Sequence, residues 1–544
     1  MRLTKSRFLF GFIRPYILRM GGLCVVIILR VALLLLPPLL LKLIVDRVIT
    51  GGEHDLLFAL GVALLAAPVG IALGTFGQIV MLAGLGQRVV LDLRNATYRH
   101  LQRLGLQFYN RFGAGLLVNR LMGDTTVIQR VMSASLISLF SDMIVCVVAC
   151  GAALFLSWRL GCLLLFVVTL FVLNYRYLRA RMIGAQRQVM RTMDRMSAGV
   201  QERFHLNLTV RSHGREDEEQ AIFAGQTEDA VVYGRQFGIS AVDFSTNTEL
   251  LTFLGWGLMY FTGSFLVLRG DLTYGTVIAC LAYGMQVLQP AVRFSMIARQ
   301  FQDVRVALDR LLEIHRHVPT VAEKPDARRP KTVRGQVDFD HLAFHYEPAK
   351  PVLRDFDLHV APGETIALVG PTGCGKSTVL NLLLRFYDVV DGRLRIDGVD
   401  IRDYSLRGLR RHVGIVLQEA MLFEASVADN IRLANPRLSQ ADVERVARLA
   451  EIHEFICELP DGYETTIGGR RGISLSAGQE QQLAIARAVA ADPAILVMDE
   501  ATSNLDSESE AKIQRALDRL LEGRTSFIVA HRLSTIRNAD RIVM

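Results

Sequence analysis

The stretch IALVGPTGCGKST, residues 366–378, decides the fold of the second half of this 544-residue chain. It joins an apolar run, a glycine-rich loop and a polar helix start, and it matches G-x-x-x-x-G-K-[ST] from Gly370 to Ser377. Glycines let the backbone curl so that successive N–H groups face a bound phosphate. The stretch therefore predicts a nucleotide phosphate site, with Lys376 on the β- and γ-phosphates and Ser377 on Mg²⁺.

A second apolar stretch, AILVMDEATSNLD at 494–506, predicts the strand beside this loop. Its apolar residues place Asp499 at the carboxyl end of a strand, where ligands bind in open α/β sheets. We expect Asp499 to hold Mg²⁺ through water, and Glu500 to orient and deprotonate the attacking water. An acidic pair after a strand also suits a helix N-cap, but the phosphate loop favours the catalytic interpretation.

Three further residues are candidates for the same site. Gln418, in GIVLQEA, follows an apolar strand and is a candidate to touch Mg²⁺ and report the γ-phosphate. His531, in FIVAHRLS, ends a later strand and is a candidate hydrogen-bond partner of that phosphate, although a lone histidine is usually structural. Tyr346, in FHYEPAKPVL, is a candidate to stack on adenine, although an aromatic side chain at a strand end is more often packing.

The stretch ISLSAGQEQQLAIARA, residues 473–488, contains no group that hydrolyses a bond. It places a Ser-Ala-Gly turn at the start of a helix, far along the chain from the phosphate loop. A helix N-terminus stabilises negative charge through its free N–H groups and its dipole. The stretch is therefore a second candidate phosphate-binding element.

The first part of the chain has the composition of a membrane domain, and 51% of all residues are hydrophobic. Its arginines cluster in alternate connections between apolar runs, which is the positive-inside pattern with both ends in the cytosol. This pattern accounts for the net charge of +8 without a nucleic-acid partner. The seven cysteines have no disulfide or zinc spacing. Runs long enough to span a bilayer lie at 23–41, 56–86, 131–157, 160–178, 246–268 and 272–292.

Helical patterns continue beyond the apolar runs. Residues 56–106 read as nearly continuous helix broken chiefly by Pro68, and 160–215 with 216–268 read as a second long pair. Such helices exceed the roughly 30 Å of a hydrocarbon core, so they must project into the cytosol. A solvated coiled coil is the alternative interpretation. The proline- and charge-rich segment 318–335 predicts a linker, and alternating strands and helices after it predict an α/β domain.

Taken together, residues 335–544 resemble the ATPase domain of an ABC transporter, and residues 1–315 resemble the six-span domain of the exporter type. The phosphate loop, Gln418, LSAGQ, VMDE, SNLD and AHRLS occur in the order and at the spacing of that family. The expected fold is an all-α six-helix transmembrane domain, a linker at 316–334 and an α/β P-loop ATPase domain. The resemblance implies a multi-pass protein of the bacterial inner membrane with its ATPase domain in the cytosol.

In that family the stretch matching Leu475–Gln479 binds the γ-phosphate held by the facing ATPase domain, and helices near 113–123 and 205–216 couple the domains. The resemblance therefore implies two shared ATP sites, a dimer and alternating access. Its catalytic residues would be Glu500, His531 and Gln418, and its Mg²⁺ ligands Ser377, Gln418 and Asp499. Its ATP-binding residues would be Tyr346, Gly370, Pro371, Thr372, Gly373, Cys374, Gly375, Lys376, Ser377, Thr378, Ser476, Ala477, Gly478 and Gln479.

The sequence departs from the family pattern at Ala477, at Gln482 and in TTIGGRRG (465–472), which lacks a common glutamate and puts the coupling contacts in doubt. Glu500, His531 and LSAGQ are all present, so both sites of a homodimer would be competent. Relatives continue beyond the position of Met544, which suggests a truncated chain.

The cargo is only weakly indicated. Arg30, Asp142 and Glu249 lie in or at apolar runs, where a cavity-facing role competes with snorkelling to an interface. Tyr283 and Gln286 are further candidates in the last run. Lipid, drug-like amphiphile and peptide remain open as substrates. The leading function is ATP-driven export or flipping. A nucleotide-gated channel or regulator is the alternative, while a soluble ABC ATPase and an importer fit the spans poorly.

Overall fold

The computed structural model describes residues 5–132, 136–418, 420–469, 472–499, 507–529 and 537–544. The chain divides into two compact units. The first, here called the membrane unit, contains Met1–Leu101 and Ala114–Arg316. The second, here called the ATPase unit, contains Gln102–Gly113 and His317–Met544. A short internal segment of the first half of the chain therefore belongs with the second half.

Within its described residues, all the regular secondary structure of the membrane unit is helical. Five of its helical segments are long and apolar enough to cross a membrane, and α11 adds a shorter apolar stretch, Tyr274–Val287. This confirms the helical membrane domain expected from the sequence. The helices are α1 (Lys5–Ile13), α2 (Ile17–Leu43), α3 (Leu56–Leu101), α5 (Ala114–Asn119), α6 (Thr125–Arg130), α7 (Leu136–Leu156), α8 (Trp158–His205), α9 (Asn207–Ser212), α10 (Glu216–Leu268) and α11 (Tyr274–Arg316), with α4 (Leu106–Phe112) in the ATPase unit.

Helix α3 is unbroken, so the predicted interruption at Pro68 is wrong. A proline inside a helix removes only its own N–H bond, here to the carbonyl of Leu64, and the flanking turns keep theirs. The 46 residues of α3 span about 69 Å, more than twice the hydrocarbon core. The helix therefore extends well beyond the bilayer, as its length in the sequence predicted.

Helices α8 and α10 form the second long pair predicted from the sequence. The two helices can pack closely because Gly255 of α10 faces Val167 of α8. A Cβ added to Gly255 would lie 2.7 Å from the side chain of Val167. Further along the pair, the rings of Tyr175 and Phe244 pack edge-on with centroids 6.3 Å apart. The short helix α9 forms the turn between them, within the segment predicted at 205–216.

The first cytosolic segment is divided between the two units. The part that packs with the ATPase unit is Gln102–Gly113, whereas residues 114–123 group with the membrane unit. Helix α4 supplies Phe108 and Phe112, whose ring centroids lie 5.0 and 5.6 Å from that of His317. Gly113 then turns the chain with a φ of +69°, a left-handed conformation that favours glycine. The coupling role predicted for 113–123 stays a prediction.

The ATPase unit contains two main sheets, which confirms the predicted α/β domain with a parallel sheet. The parallel sheet has the strand order β11-β3-β10-β9-β6, and the antiparallel sheet has the order β2-β1-β4-β5. The strands are β1 (Val337–Glu347), β2 (Lys350–Val360), β3 (Thr365–Leu368), β4 (Asp391–Ile396), β5 (Val399–Asp400), β6 (Val413–Val416), β7 (Ala425–Ser426), β8 (Thr466–Ile467), β9 (Ile495–Asp499), β10 (Thr525–Val529) and β11 (Arg541–Val543). The helices are α12 (Lys376–Leu383), α13 (Leu406–Arg410), α14 (Val427–Arg432), α15 (Gln440–Leu449), α16 (His453–Glu458), α17 (Ala477–Ala491) and α18 (Ser507–Leu521).

The parallel sheet separates two hydrophobic cores. Side chains alternate along a strand, so Ile495 and Val497 of β9 join one core while Leu496 and Met498 join the other. Helix α12, which follows the phosphate loop, packs in the first core together with the antiparallel sheet. Helix α17, which begins in LSAGQ, packs in the second core. The two candidate phosphate-binding helices therefore lie on opposite faces of one sheet.

The segment predicted as a linker is bonded to the ATPase unit along part of its length. The buried guanidinium of Arg385 donates to the carbonyl of Ala322 at 3.0 Å, and Arg328 exchanges backbone bonds with Asp403 and Ser405. Arg385 is 1% exposed and also bonds Asp388, so its charge is paired. The linker boundary at 316–334 stays a prediction, but these residues are not a free tether.

Candidate functional site

The phosphate loop joins the fully buried strand β3 to α12. Gly373 and Gly375 have φ values of +86° and +107°, which glycine adopts without the strain of other residues. A Cβ on Gly375 would also lie 2.9 Å from Leu353 on β2. The ammonium of Lys376 donates to the carbonyls of Gly370 and Pro371 at 2.8 and 3.1 Å. The ammonium group of Lys376 therefore lies over the phosphate loop, a position that suits its predicted contact with phosphates.

The structure brings together two residues that the sequence assigns to Mg²⁺. Strand β9 pairs in parallel with β10, which pairs with β3, so Asp499 lies at the same edge of the sheet as the phosphate loop. The hydroxyl of Ser377 donates to the carboxylate of Asp499 at 3.4 Å. A hydroxyl and a carboxylate are hard oxygen ligands of the type that Mg²⁺ prefers. The donor set fits the ion, although its binding here stays a prediction.

Gln418 lies at this edge as well. It lies in the loop that follows β6. Because Val416 of β6 pairs with Met498 of β9, this loop starts beside the end of β9. Its side chain is exposed. Glu500 and His531, the predicted base and γ-phosphate partner, lie outside the described residues. They come one residue after Asp499 and two after Val529, which pair across β9 and β10. Their roles stay predictions.

Tyr346 is tied to the helix that follows the phosphate loop. Its hydroxyl lies 3.1 Å from that of Thr378 and accepts a bond from Asn381 at 3.4 Å. Its ring packs edge-on against those of Phe344 and Tyr387, with centroids 4.9 and 5.0 Å away. The half-buried ring is therefore held beside the loop, a position that suits adenine stacking and core packing alike.

Ser476 begins α17 as the sequence predicted. Its hydroxyl accepts a bond from the Gln479 amide at 3.3 Å, and its own amide donates to the Gln479 side chain at 2.9 Å. This capping box fixes the first turn, in which Ala477 and the buried Gly478 leave backbone N–H groups for an anion. Within the described residues, no hydrogen bond joins 476–479 to the phosphate loop at 370–378.

Sequence reasoning missed two polar residues of α17, the buried Gln481 and the partly buried Arg487. Both donate to the loop that carries Gln418. Their signal in the sequence is weak, because several polar residues stand among the apolar residues of this helix and nothing local distinguishes these two. Only the strand order shows which loop lies opposite that face.

Arg30 has a partner inside the membrane unit. Its Nη2 donates to the hydroxyl of Ser141 on α7 at 2.7 Å, and its aliphatic stem lies against Gly74 of α3. Ser141 and the adjacent Asp142 are buried. Arg30 thus joins three helices, and this contact favours an interior position for it over snorkelling to an interface.

Two polar residues of α11 bond backbone carbonyls of α2 near its prolines, and one of them takes a carbonyl that a proline leaves free. Pro38 in α2 has no N–H, so the carbonyl of Leu34 loses its helical partner. The side-chain amide of Gln286 donates to that carbonyl at 2.9 Å, and the hydroxyl of Tyr283 donates to the carbonyl of Leu35 at 2.8 Å. These residues of α11 therefore face α2, and the expectation that they line a cargo cavity is not supported.

Glu249 remains exposed on α10. Asp243, two turns earlier, lies 3.8 Å from Arg181 of α8. An exposed carboxylate in an apolar span is unfavourable against lipid, so Glu249 fits a surface that faces water or another helix. It stays a candidate for contact with cargo.

Beyond the apolar stretch of α11, a pair of histidines joins the end of α11 to the end of α3. The rings of His100 and His315 stack with centroids 4.9 Å apart, and the Nε2 of His315 lies 3.1 Å from the hydroxyl of Thr97. Burial, with the neighbouring charge of His100, lowers the pKa of His315 to about 4. His315 is therefore neutral at physiological pH.

Comparisons with known protein families agree with this architecture. Residues 20–291 match the ABC transporter transmembrane region, and residues 353–503 match the ABC transporter ATPase family. The two matches lie in the order that the chain shows, helices first and the phosphate loop after them.

Individual relatives cover most of the chain. It is 34% identical over 98% of its length to the putative multidrug export ATP-binding/permease protein YgaD of Bacillus subtilis (strain 168), of which it covers 93%. It is 35% identical over 86% of its length to the ATP-dependent lipid A-core flippase of Syntrophus aciditrophicus (strain SB), of which it covers 78%. A solved structure of a bacterial Atm1-family ABC exporter with ATP bound superimposes with a TM-score of 0.81 at 27% identity, covering 97% of this chain and 93% of that one.

Proposed function

The chain belongs to the ABC transporter family. It is a membrane exporter with one transmembrane domain and one ATPase domain, and ATP hydrolysis drives it. We propose that it works as a homodimer that exports an amphiphile. A half-transporter needs a second ATPase domain to enclose its nucleotides. The intact LSAGQ, Asp499 and Glu500 of the sequence support two equivalent sites. The ATPase domains would lie in the cytosol, below the bacterial inner membrane.

The separation of α12 and α17 by the parallel sheet carries the proposal of shared sites. Helix α17 packs on the face of the sheet opposite α12, and among the described residues no hydrogen bond joins 476–479 to the phosphate loop of the same chain. Ser476 and the Gly478 amide are therefore free to cover the γ-phosphate held by a second copy. ATP then joins two chains, and hydrolysis removes the group that joins them.

Within each site the residues would divide the work. Lys376 and the loop amides bind the phosphates, and Tyr346 stacks on adenine. Ser377, Asp499 and Gln418 hold Mg²⁺, which would neutralise charge developing on the phosphoryl oxygens. Glu500 would act as the general base for water, and His531 would donate a hydrogen bond to the γ-phosphate.

For the cargo we propose a lipid-like or drug-like amphiphile, because the relatives named above include a multidrug exporter and a lipid flippase. Glu249 supports contact with a polar group of the cargo, since it is exposed on a helix of the membrane unit. Arg30 is assigned to the helix bundle, through Ser141, and not to the cargo. A nucleotide-gated channel is the second candidate, which the retained Glu500 disfavours because gating requires binding more than turnover.

ATP-dependent uptake of labelled phospholipid and drug-like amphiphiles into inside-out vesicles tests the proposal. We expect uptake by the wild-type chain and its loss in Glu500→Gln. Glu522→Gln, the same charge change at an exposed position just after α18, is the matched control and should transport normally. Equal flux in wild type and Glu500→Gln, still requiring ATP, would instead establish a channel gated by binding.

A further inference from the structure

The loop that carries Gln418 is fastened to α17 at several points. Gln481, 4% exposed, donates Nε2 to the carbonyl of Leu417 at 3.1 Å. Arg487 donates Nη1 to the carbonyl of Met421 at 2.5 Å and Nε to the carbonyl of Asn430 at 2.9 Å. The loop is therefore held to one helix immediately before Gln418 and again after it.

Asn430 closes the far end of this loop. Its side chain donates to the carbonyls of Phe423 and Ser426, both at 3.0 Å, and accepts from the Phe423 amide at 3.0 Å. Arg487 also donates to the side-chain oxygen of Asn430. Asn430 is 1% exposed, so any of these bonds that broke would leave a polar group buried without a partner. The loop and α17 consequently move together.

Helix α17 starts at the group proposed to cover the ATP of the second copy. Gln481 lies five residues after Ser476, about 7.5 Å along the helix. Beyond Gln482 the helix is anchored by a run of buried apolar residues from Leu483 to Ala486, so the first turns move with the packed part of the helix. Gln418 and Ser476 of one chain would face different ATP molecules. The side-chain amide of Gln481 nevertheless links the loop that carries Gln418 to the helix that begins after Ser476.

We propose that Gln481, supported by Arg487, is a positioning residue that couples the two ATP sites of the dimer. When Gln418 engages the γ-phosphate in its own chain, the loop shifts, and Gln481 carries the shift to the helix whose N-terminus closes the other site. This inference rests on the proposed roles of Gln418 and Ser476. It accounts for a glutamine at a position where burial alone would select an apolar residue.

A purely structural role for Gln481 has a direct control on the same helix. Gln482 is 6% exposed and donates Nε2 to the carbonyl of Glu451 at 2.7 Å, between α15 and α16. Gln481→Met and Gln482→Met each remove one amide bond to one carbonyl, with similar volume and helix propensity. Of the two glutamines, Gln481 bonds the loop of Gln418 and Gln482 bonds Glu451, so a difference between the variants reports coupling rather than stability.

The test measures ATP hydrolysis by the full-length chain in lipid nanodiscs across a range of ATP concentrations. We expect a Hill coefficient above 1 for the wild type and for Gln482→Met. For Gln481→Met we expect a Hill coefficient near 1 and an apparent ATP affinity about tenfold lower, within the range of typical allosteric couplings. Gln481→Asn, which keeps the amide on a shorter side chain, is the milder version if the methionine variant does not fold.

Several results would overturn the coupling role. A wild-type Hill coefficient of 1, or equal behaviour of Gln481→Met and Gln482→Met, removes it. Gln418→Ala separates this failure from that of the proposed site. If Gln418→Ala hydrolyses ATP normally, the proposed role of Gln418 is wrong and the coupling falls with it. If Gln418→Ala is slow while the two methionine variants match, only the coupling is wrong.

Discussion

Replacing Tyr346 distinguishes adenine stacking from core packing, which the sequence left open. Its hydroxyl bonds the phosphate-loop helix at Thr378, while its ring packs edge-on between Phe344 and Tyr387. Tyr346→Phe keeps the ring and removes the hydroxyl, whereas Tyr346→Leu removes both. Tyr387→Leu is the matched control, because Tyr387 belongs to the same aromatic cluster and is 9% exposed within the core.

The expected magnitudes follow from these contacts. Stacking of a base on an aromatic side chain contributes about 1–3 kcal/mol, so Tyr346→Leu should weaken ATP binding by about 5- to 150-fold. Loss of the hydroxyl removes hydrogen bonds with a net contribution of about 1 kcal/mol to folding. Tyr346→Phe should therefore lower stability slightly and change ATP affinity by less than about fivefold.

Isothermal titration calorimetry of the full-length variants with ATP measures the affinity, and thermal unfolding of the same samples measures stability. We expect Tyr346→Leu to lose affinity and Tyr387→Leu to lose stability while keeping most of its affinity. If Tyr346→Leu binds ATP as tightly as wild type but melts earlier, Tyr346 is a packing residue and the stacking role is refuted.

Two further predictions concern the membrane unit. Gln286→Leu leaves the carbonyl of Leu34 without a partner, because Pro38 has no N–H to bond it. We expect the free energy of unfolding to fall by about 1–3 kcal/mol, which would appear as an earlier thermal transition in detergent. An unchanged transition would show that this bond contributes nothing to stability. The pKa of His315 is lowered from 6.5 to about 4, so between these pH values the unfolded chain binds more protons than the folded one, and stability should fall as pH falls from about 6.5 to about 4. His315→Gln should flatten this part of the stability profile, and an identical profile in both proteins would contradict the assignment.

Much of the fold could be predicted because its signals are local. Long apolar runs require membrane helices wherever they occur, and a glycine loop between a strand and a helix requires a phosphate site. The pairing of Ser377 with Asp499 followed as well, because the phosphate loop that precedes Ser377 and the end of the strand that carries Asp499 both lie at the carboxyl edge of predicted parallel strands. The effect of Pro68 was misjudged, since the turns on either side of one proline suffice to keep a long helix intact.

The polar residues of the spans could not be assigned in this way. Arg30 and Ser141 lie 111 positions apart, and Gln286 and Leu34 lie 252 apart, so nothing in the local pattern joins them. A buried polar group must find some partner, but the sequence does not say which helix supplies it. For Gln286 that partner is the carbonyl of Leu34, which Pro38 leaves without its helical bond. A residue considered as a cargo contact thus bonds a neighbouring helix.

The sequence by itself therefore determined the two kinds of domain, the phosphate loop and the residues that end each strand, because periodicity and turn chemistry act over a few residues. The tertiary structure decided which side of the sheet each helix covers, and so placed α12 and α17 apart and brought Gln481 to the loop of Gln418. The physical reason is that strand order and face are fixed by packing between segments distant in the chain, where the burial of whole cores outweighs any local preference.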